Sequence, residues 1–292
     1  MLSQKQQGLM ACIASQFLWG VGILFWPMLS YLNAVSILSL RLICSFFFAV
    51  LVVYLTSRFD LVKSLFLNKK IFKNLCIATI FLCLNWGSYI YAINSGKAIE
   101  VSLGYYLTPL ISMALGRIFF NDVLNKNQII AIGLVIAGVS YGIISYGEIP
   151  YLGIFIGFTF AIYGFMHKVI NADAISILLA ETVIILPFSC LWLYFTEPQY
   201  GIIGYDLSHY LLLFGTIFFT GIPLILFSFA AITVRLTTLG FILYLSPSIN
   251  FLLAIFYTRE AVRASDYITF PVVWIALCIY TFDMLHKTKK VH

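Results

Sequence analysis

The chain has 292 residues, of which 62% are hydrophobic and 10% are charged, whereas a typical soluble domain has about 25% charged residues. A single soluble core of this size would need far more polar surface, so the composition excludes a soluble protein. The formal net charge of +6 lies on the connections and the tail, which is typical of membrane orientation signals and does not indicate nucleic-acid binding.

Ten apolar windows are long enough to cross a membrane, because about 20 helical residues span its hydrocarbon core. We therefore predict the fold class to be an all-α integral membrane protein with ten transmembrane helices, referred to as spans 1 to 10. The windows are 8–29, 34–56, 71–94, 98–120, 127–146, 150–168, 174–196, 207–231, 235–257 and 266–286.

The segments between the spans are short. The longest polar stretch, 57–74, is predicted to be a basic loop, so we expect one transmembrane domain over 1–292. The first window continues without a small-residue cleavage site and is interpreted as a retained helix, not as a signal peptide.

Positive charges predict the orientation in the membrane. With the N-terminus in the cytoplasm, thirteen Lys and Arg residues fall on the inner side and three on the outer side, with Arg41 left out as intramembrane. Cytoplasmic connections carry the excess of Lys and Arg in membrane proteins. We therefore expect a multi-pass protein of the cytoplasmic membrane with both termini in the cytoplasm.

The sequence repeats itself weakly. YYLTPLISMALGRIFFND at 105–122 aligns with LYLSPSINFLLAIFYTRE at 243–260, which places Pro109 on Pro247 at a spacing of 138 residues. A chance match between two proline-containing membrane helices is the alternative, but the agreement extends to an acidic residue thirteen positions after each proline. We interpret the similarity as a true repeat.

The repeat predicts two halves, about 8–146 and 150–286. Five spans per half is an odd number, so the second half would be inverted relative to the first. Inverted repeats are typical of secondary transporters, in which irregular helices line a solute site near the midplane. Pro109, Pro223 and Pro247 are accordingly predicted to be helix breaks.

Seven stretches along the chain carry a family pattern: LWGVGILFWP (18–27), RLICS (41–45), NWGSYIYAIN (85–94), EVSLGYYLTPLISMALG (100–116), FTFAIYGFMHK (158–168), ET followed by LP (181–182 and 186–187) and TTLGFILYLSPSINFLLA (237–254). They resemble the RarD-type branch of the EamA family, within the drug/metabolite transporter superfamily. The chain departs from the usual pattern at Leu40, Cys44, Asp122 and His167.

The resemblance implies a central cavity lined by spans 1, 3, 4, 6, 8 and 9. It also implies transport of a small organic solute, since relatives move amino acids, nucleoside-like compounds or S-adenosylmethionine, and the RarD branch is linked to chloramphenicol sensitivity. We expect such a solute and membrane lipid as the partners.

Candidate solute-binding residues combine an amide with aromatic faces, which suit a solute that has flat and polar parts. Asn85, Trp86 and Tyr89 lie on one face of span 3, because residues three and four apart are neighbours on a helix. The other candidates are Trp19, Tyr105, Tyr106, Tyr163, Phe227, Phe241 and Tyr244. Aromatic packing is the alternative interpretation for each ring.

Charged residues inside the spans are costly, at about 2.5–3.5 kcal/mol each on insertion scales. Arg41 and Glu181 lie seven residues into their spans, while Glu100 and Arg235 begin spans 4 and 9. We predict that Arg41 pairs with Glu100 on the outer side and Glu181 with Arg235 on the cytoplasmic side. These pairs would either gate the cavity or link helices statically. Glu181 or Glu100 is the candidate for proton coupling.

The six cysteines lie in apolar runs and the four histidines are scattered, so we expect no catalytic residues, no metal and no cofactor. A membrane-embedded enzyme and a channel are the alternative functions. We favour a cytoplasmic-membrane secondary transporter that works by alternating access.

Overall fold

The structure of the protein is a computed structural model that describes residues 3–29, 31–94, 98–200, 206–258 and 264–289. Within these ranges, side chains are left out of the description at 34, 90, 93–94, 98–103, 197–200, 254 and 284–289. The side chain of Glu100 therefore lies outside the described part of the chain.

All regular secondary structure in the described ranges is helical. The helices are α1 (Gln4–Val21), α2 (Ala34–Leu55), α3 (Phe59–Leu67), α4 (Lys69–Asn94), α5 (Ala98–Phe119), α6 (Lys126–Tyr146), α7 (Tyr151–Ile170), α8 (Ala174–Tyr200), α9 (Leu207–Phe219), α10 (Gly221–Thr233), α11 (Leu236–Leu243), α12 (Leu245–Leu253) and α13 (Asp266–Lys289). Two 3₁₀ turns, Gly22–Leu24 and Trp26–Leu29, follow α1, and a π turn, Ala254–Thr258, follows α12.

Nine helical segments among the described residues are long and apolar enough to cross a membrane. They coincide with nine of the ten predicted spans, and the 22-residue helix α5 occupies the position of span 4. This agreement confirms an all-helical membrane protein.

Short polar signals start several of these helices. The Asn125 side chain accepts a hydrogen bond from the Gln128 backbone N–H, and the Gln128 side chain accepts one from the Asn125 N–H. Ser3 and Gln6 form the same reciprocal arrangement at the start of α1. Such capping boxes satisfy backbone donors that have no partner inside the helix.

Two expectations about irregular segments are corrected. Residues 59–67, expected in a loop, form helix α3, which buries Val62 and Leu65 at a helical spacing of three. The predicted break at Pro109 is wrong, because α5 continues through it. Pro223 and Pro247 do each lie in the first turn after an interruption, between α9 and α10 and between α11 and α12.

The chain forms two compact units that interleave along the sequence. Unit 1 comprises Met1–Cys83 and Met166–Val234, and unit 2 comprises Leu84–Phe165 and Arg235–His292. In unit 1, α1 packs on α10 and α2 packs on α8. In unit 2, α5 packs on α11 and α6 packs on α13. Each unit thus takes helices from both halves of the sequence.

Candidate functional site

A chain of buried polar groups lies in unit 1. The imidazole of His167 places Nε2 2.9 Å from Oε1 of Glu181 and Nδ1 2.8 Å from Oγ of Ser228. The exposed fractions are 1% for His167, 3% for Glu181 and 1% for Ser228. Three polar side chains at this depth are satisfied by one another, which offsets the cost of taking them out of water.

The helix connections explain why these groups meet. Only residues 171–173 separate α7 from α8, so the last turn of α7 is close along the chain to the start of α8. His167 is in the last turn of α7, and Glu181 lies in the third turn of α8. Ser228 reaches the imidazole from the buried face of α10, which also carries Phe227.

The three groups are those of a hydrolase triad, but their arrangement differs. In a Ser-His-Asp triad, the nucleophile bonds Nε2 and the carboxylate bonds Nδ1. Here the two ring nitrogens are exchanged, and a hydroxyl that is 1% exposed cannot reach a substrate in this conformation. The arrangement can instead hold a proton between an imidazole and a carboxylate.

Two basic side chains of unit 1, Lys168 and Arg58, contact groups at the ends of helices. Nζ of Lys168 donates to the carbonyl oxygens of Ala231, in the last turn of α10, and of Val234, directly after it. A cation at a helix C-terminus is favourable because backbone carbonyls are unpaired there. Arg58, after α2, pairs with Asp173, before α8. The contacts of Lys168 thus link α7 to the end of α10, and the ion pair of Arg58 links the end of α2 to the start of α8.

Aromatic rings pack near the C-terminal end of α1 and in the 3₁₀ turns that follow it. The rings of Trp19 and Phe227 lie 5.7 Å apart, and Phe227 lies 6.5 Å from the imidazole of His167. The guanidinium carbon of Arg41 lies 5.4 Å from the centre of the ring of Trp26, which begins the second of these 3₁₀ turns. The charge of Arg41 is therefore stabilised in part by an aromatic face.

In unit 2, Asn85 ties α4 to α7. Its Nδ2 donates to the carbonyl oxygen of Ile156 at 2.8 Å and to Oγ1 of Thr159 at 3.2 Å. Asn85 is 4% exposed, so its amide nitrogen serves a contact between helices. Of its predicted neighbours on α4, Trp86 is half-buried and Tyr89 is exposed, with the Tyr89 ring 6.4 Å from that of Tyr105.

Three other predicted aromatic residues belong to the core of unit 2. Oη of Tyr244 donates to the carbonyl oxygen of Tyr106 at 2.8 Å, and the ring of Phe241 stacks on Tyr280 at 3.8 Å. All of these residues are at most 3% exposed. Tyr163 is also fully buried. Packing accounts for the four predicted rings, and a role for them in solute binding stays a prediction.

A carboxylate fastens the start of α11 in unit 2. Oδ2 of Asp122 accepts hydrogen bonds from N and Oγ1 of Thr237, at 3.0 and 2.9 Å. Nη1 of Arg235 donates to the carbonyl oxygen of Val123 at 3.0 Å. Asp122 thereby supplies the acceptor that the first turn of α11 needs.

The predicted charge pairs stay predictions. Glu181 has His167 as its hydrogen-bond partner within unit 1, and Arg235 has Val123 within unit 2. The pair of Arg41 with Glu100 depends on a side chain outside the described part of the chain.

Sequence reasoning missed two groups. His167 was noted only as a departure from a family pattern, although its position fourteen residues before a membrane-embedded glutamate, across a short connection, could have indicated the contact. The contact of Asp122 with Thr237 joins residues 115 positions apart, and no local pattern indicates it.

Known proteins show similarity over nearly the whole chain. The EamA-like transporter family matches residues 6–143. Protein RarD of Salmonella typhi is 33% identical over 289 residues, covering 98% of each chain. A Bacillus subtilis protein named Uncharacterized transporter YojE is 33% identical over 287 residues, covering 97% of this chain and 96% of its own length.

A solved crystal structure shares the fold, with a TM-score of 0.73 at 12% identity, covering 95% of this chain and 97% of the other. The described helices, nine of them able to cross a membrane, agree with relatives that are named as transporters. From its similarity to RarD proteins along nearly its whole length, the chain belongs to the EamA-like transporter family as a RarD-type member.

Proposed function

We propose that this protein carries a small organic solute across the bacterial inner membrane by alternating access. The observation that carries the proposal is the buried chain of Glu181, His167 and Ser228 inside helices that are otherwise apolar. Ionisable groups at membrane depth are expensive and typically mark a transport pathway. Membership in a transporter family supports the same function.

We further propose ten spans arranged as two inverted repeats. Tyr106 and Tyr244, which touch through a hydrogen bond, are 138 residues apart, and this is the spacing that separates Pro109 from Pro247. Contact between equivalent residues is what a two-fold axis passing between α5 and α11 would produce. This relation supports the inverted repeat. An even number of spans puts both termini on the same side of the membrane, and the excess of Lys and Arg on that side favours the cytoplasm.

The proposed solute has both flat and polar parts, as the predicted aromatic residues and Asn85 require. The classes to test are amino acids, nucleosides, S-adenosylmethionine and chloramphenicol-like compounds. The purified protein is reconstituted into liposomes. The liposomes are loaded with one unlabelled compound at high concentration, the same compound in labelled form is added outside, and its entry is followed; each compound is tested in turn. A carrier gives a transient, saturable overshoot of label.

Protein-free liposomes and liposomes with an unrelated membrane protein are the controls. Entry that rises linearly with concentration and shows no overshoot would indicate a channel instead. Label that is chemically altered during the assay would indicate an enzyme. Neither result is compatible with the proposed carrier.

We also propose that Arg41 pairs with Glu100 and Arg235 with Glu181 during the transport cycle. Reversing one charge of a pair should abolish counterflow, and exchanging both charges should restore it. If both exchanged double variants stay inactive while being correctly folded, the proposed pairs do not form.

A further inference from the structure

His167 and Glu181 are both ionisable, so either side chain can gain or lose a proton. A contact that only holds two helices together would not require this. Histidine is the side chain whose charge ordinarily changes between about pH 5 and 8. We propose that His167 and Glu181 together form a proton-binding site that couples solute movement to proton movement. This inference rests on the proposed carrier function, and it assigns the coupling ion.

The two side chains can share a single proton. A neutral imidazole and a carboxylate carry a net charge of −1 between them, and one proton taken up from water, either as imidazolium or as the carboxylic acid, brings this sum to zero. The two side chains are 1% and 3% exposed and are joined over 2.9 Å, so the proton stays within one contact in either form.

Ser228 allows the pair to exist in both states without an unpaired atom. When the imidazole is protonated, Nε2–H donates to Glu181 and Nδ1–H donates to the Ser228 oxygen, over the distances of 2.9 and 2.8 Å. When it is neutral, Nε2–H still donates to Glu181, and the Ser228 hydroxyl rotates and donates to Nδ1. A hydroxyl can both donate and accept, so Nδ1 and Nε2 have hydrogen-bond partners in both charge states of the imidazole.

Unit 1 carries other titratable groups. On α7, Nζ of Lys168 donates to the carbonyl oxygens of Ala231 and Val234. α10, Gly221–Thr233, carries no titratable residue. The groups on the neighbouring helices and connections include Lys5 and Cys12 on α1, Arg41, Cys44 and Tyr54 on α2, Asp60 and Lys63 on α3, Cys83 on α4, and Arg58 and Asp173, which pair with each other.

Burial couples the proton to the conformational cycle. Water must reach the pair for its proton to exchange, and His167 and Glu181 are almost fully covered here. Exchange therefore takes place in a conformation that opens the site. A carrier in which one proton is exchanged per opening couples its solute to the proton gradient.

The proton site is tested directly on the full-length protein in detergent, labelled with ¹⁵N-histidine. The chain has four histidines, and the His167 signal is assigned by its loss in His167→Gln. We expect its ring nitrogens to report a change of charge as the pH is varied from about 5 to 9. In Glu181→Gln, we expect the midpoint of this change to move.

His209→Gln is the matched control in the same unit. The ring of His209 lies 4.5 Å from that of Tyr31, so this variant should leave the His167 signal unchanged. If the His167 signal is constant over this pH range, or if its midpoint is the same in Glu181→Gln, the pair is not a proton site.

Coupling is tested in liposomes that contain a pH-sensitive dye, with a mixture of amino acids, nucleosides, S-adenosylmethionine and chloramphenicol as the probe. The wild type should show counterflow at equal pH and proton movement when the mixture is added. In His167→Gln and Glu181→Gln, the number of protons moved per solute exchanged should fall to near zero, while Ser228→Thr, which retains the hydroxyl, should keep the wild-type ratio.

The outcomes separate this inference from the proposed function. Counterflow by the wild type without proton movement overturns the coupling but leaves the carrier intact. Absence of counterflow for the whole mixture contradicts the carrier itself. Gln variants that exchange solute and still move protons at the wild-type ratio overturn the coupling. If a Gln variant loses counterflow, the ¹⁵N-histidine measurement decides whether the pair is a proton site.

Discussion

The close approach of α5 to α7 makes a specific prediction about Gly104. A β-carbon built on Gly104 would lie 2.5 Å from the carbonyl oxygen of Gly153 and 3.0 Å from its Cα. Both neighbours are backbone atoms of α7 and cannot turn aside as a side chain could. Gly104→Ala would therefore force α5 and α7 apart.

The size of the effect follows from two opposing terms. Overpacking of a well-packed contact costs about 1–3 kcal/mol, and an alanine in place of a helical glycine recovers roughly 0.5–1 kcal/mol. The net loss is about 1–2 kcal/mol, which corresponds to a fall in Tm of about 2–6 °C for a chain of this length.

Gly133→Ala is the matched control. Gly133 lies in α6 of the same unit and is exposed, and its added β-carbon would meet no atom within 4 Å. Its Tm should stay the same or rise slightly. Gly157→Ala is a second test of the contact, because its β-carbon would lie 2.8 Å from the carbonyl oxygen of Gly104.

The assay is loss of the monodisperse chromatography peak on heating, for each variant in the same detergent at the same concentration. If Gly104→Ala and Gly133→Ala melt at the same temperature, α5 and α7 do not touch as described, and the packing argument for this pair of helices is wrong.

Three further substitutions test hydrogen bonds in unit 2 by the same thermal assay. Asp122→Ala removes both hydrogen bonds at the start of α11 and should cost about 3 kcal/mol, while Glu148→Ala, which changes an exposed carboxylate on a connection, should be neutral. Tyr244→Phe should cost about 1 kcal/mol, and the exposed Tyr141→Phe nothing measurable. Asn85→Ala should cost about 1 kcal/mol by releasing α4 from α7. Equal melting temperatures within the tyrosine pair or the carboxylate pair would contradict the assigned contacts.

The hydrophobic pattern was sufficient to predict the spans because membrane helices must satisfy their backbone internally over a fixed thickness. The predicted window 127–146, for example, differs from α6, Lys126–Tyr146, by one residue at its start. Gly153 and Gly157 are four residues apart in α7, a spacing of small residues that permits close helix packing, and Gly104 is their partner on α5.

The sequence could not predict which face of each helix packs against which neighbouring helix. Nearly all faces of these helices are apolar, so periodicity does not separate Tyr106, in the core of unit 2, from its exposed neighbour Tyr105. Pro109 likewise looked equivalent to Pro247, yet α5 runs through the first and a new helix begins before the second. Neighbouring helices decide whether a freed carbonyl group needs an interruption.

Interleaving of the two units has a consequence for how the protein is made in the cell. Unit 1 needs α10, which ends at Thr233, before α1 has the partner on which it packs. During synthesis, α1 and α2 therefore stay in the bilayer without α10 and α8, in contact with lipid or with an insertion chaperone. They gain these partners only after most of the chain has emerged from the ribosome. A nascent chain truncated between the two sequence halves would contain neither complete unit, which makes it a ready target for membrane quality-control proteases.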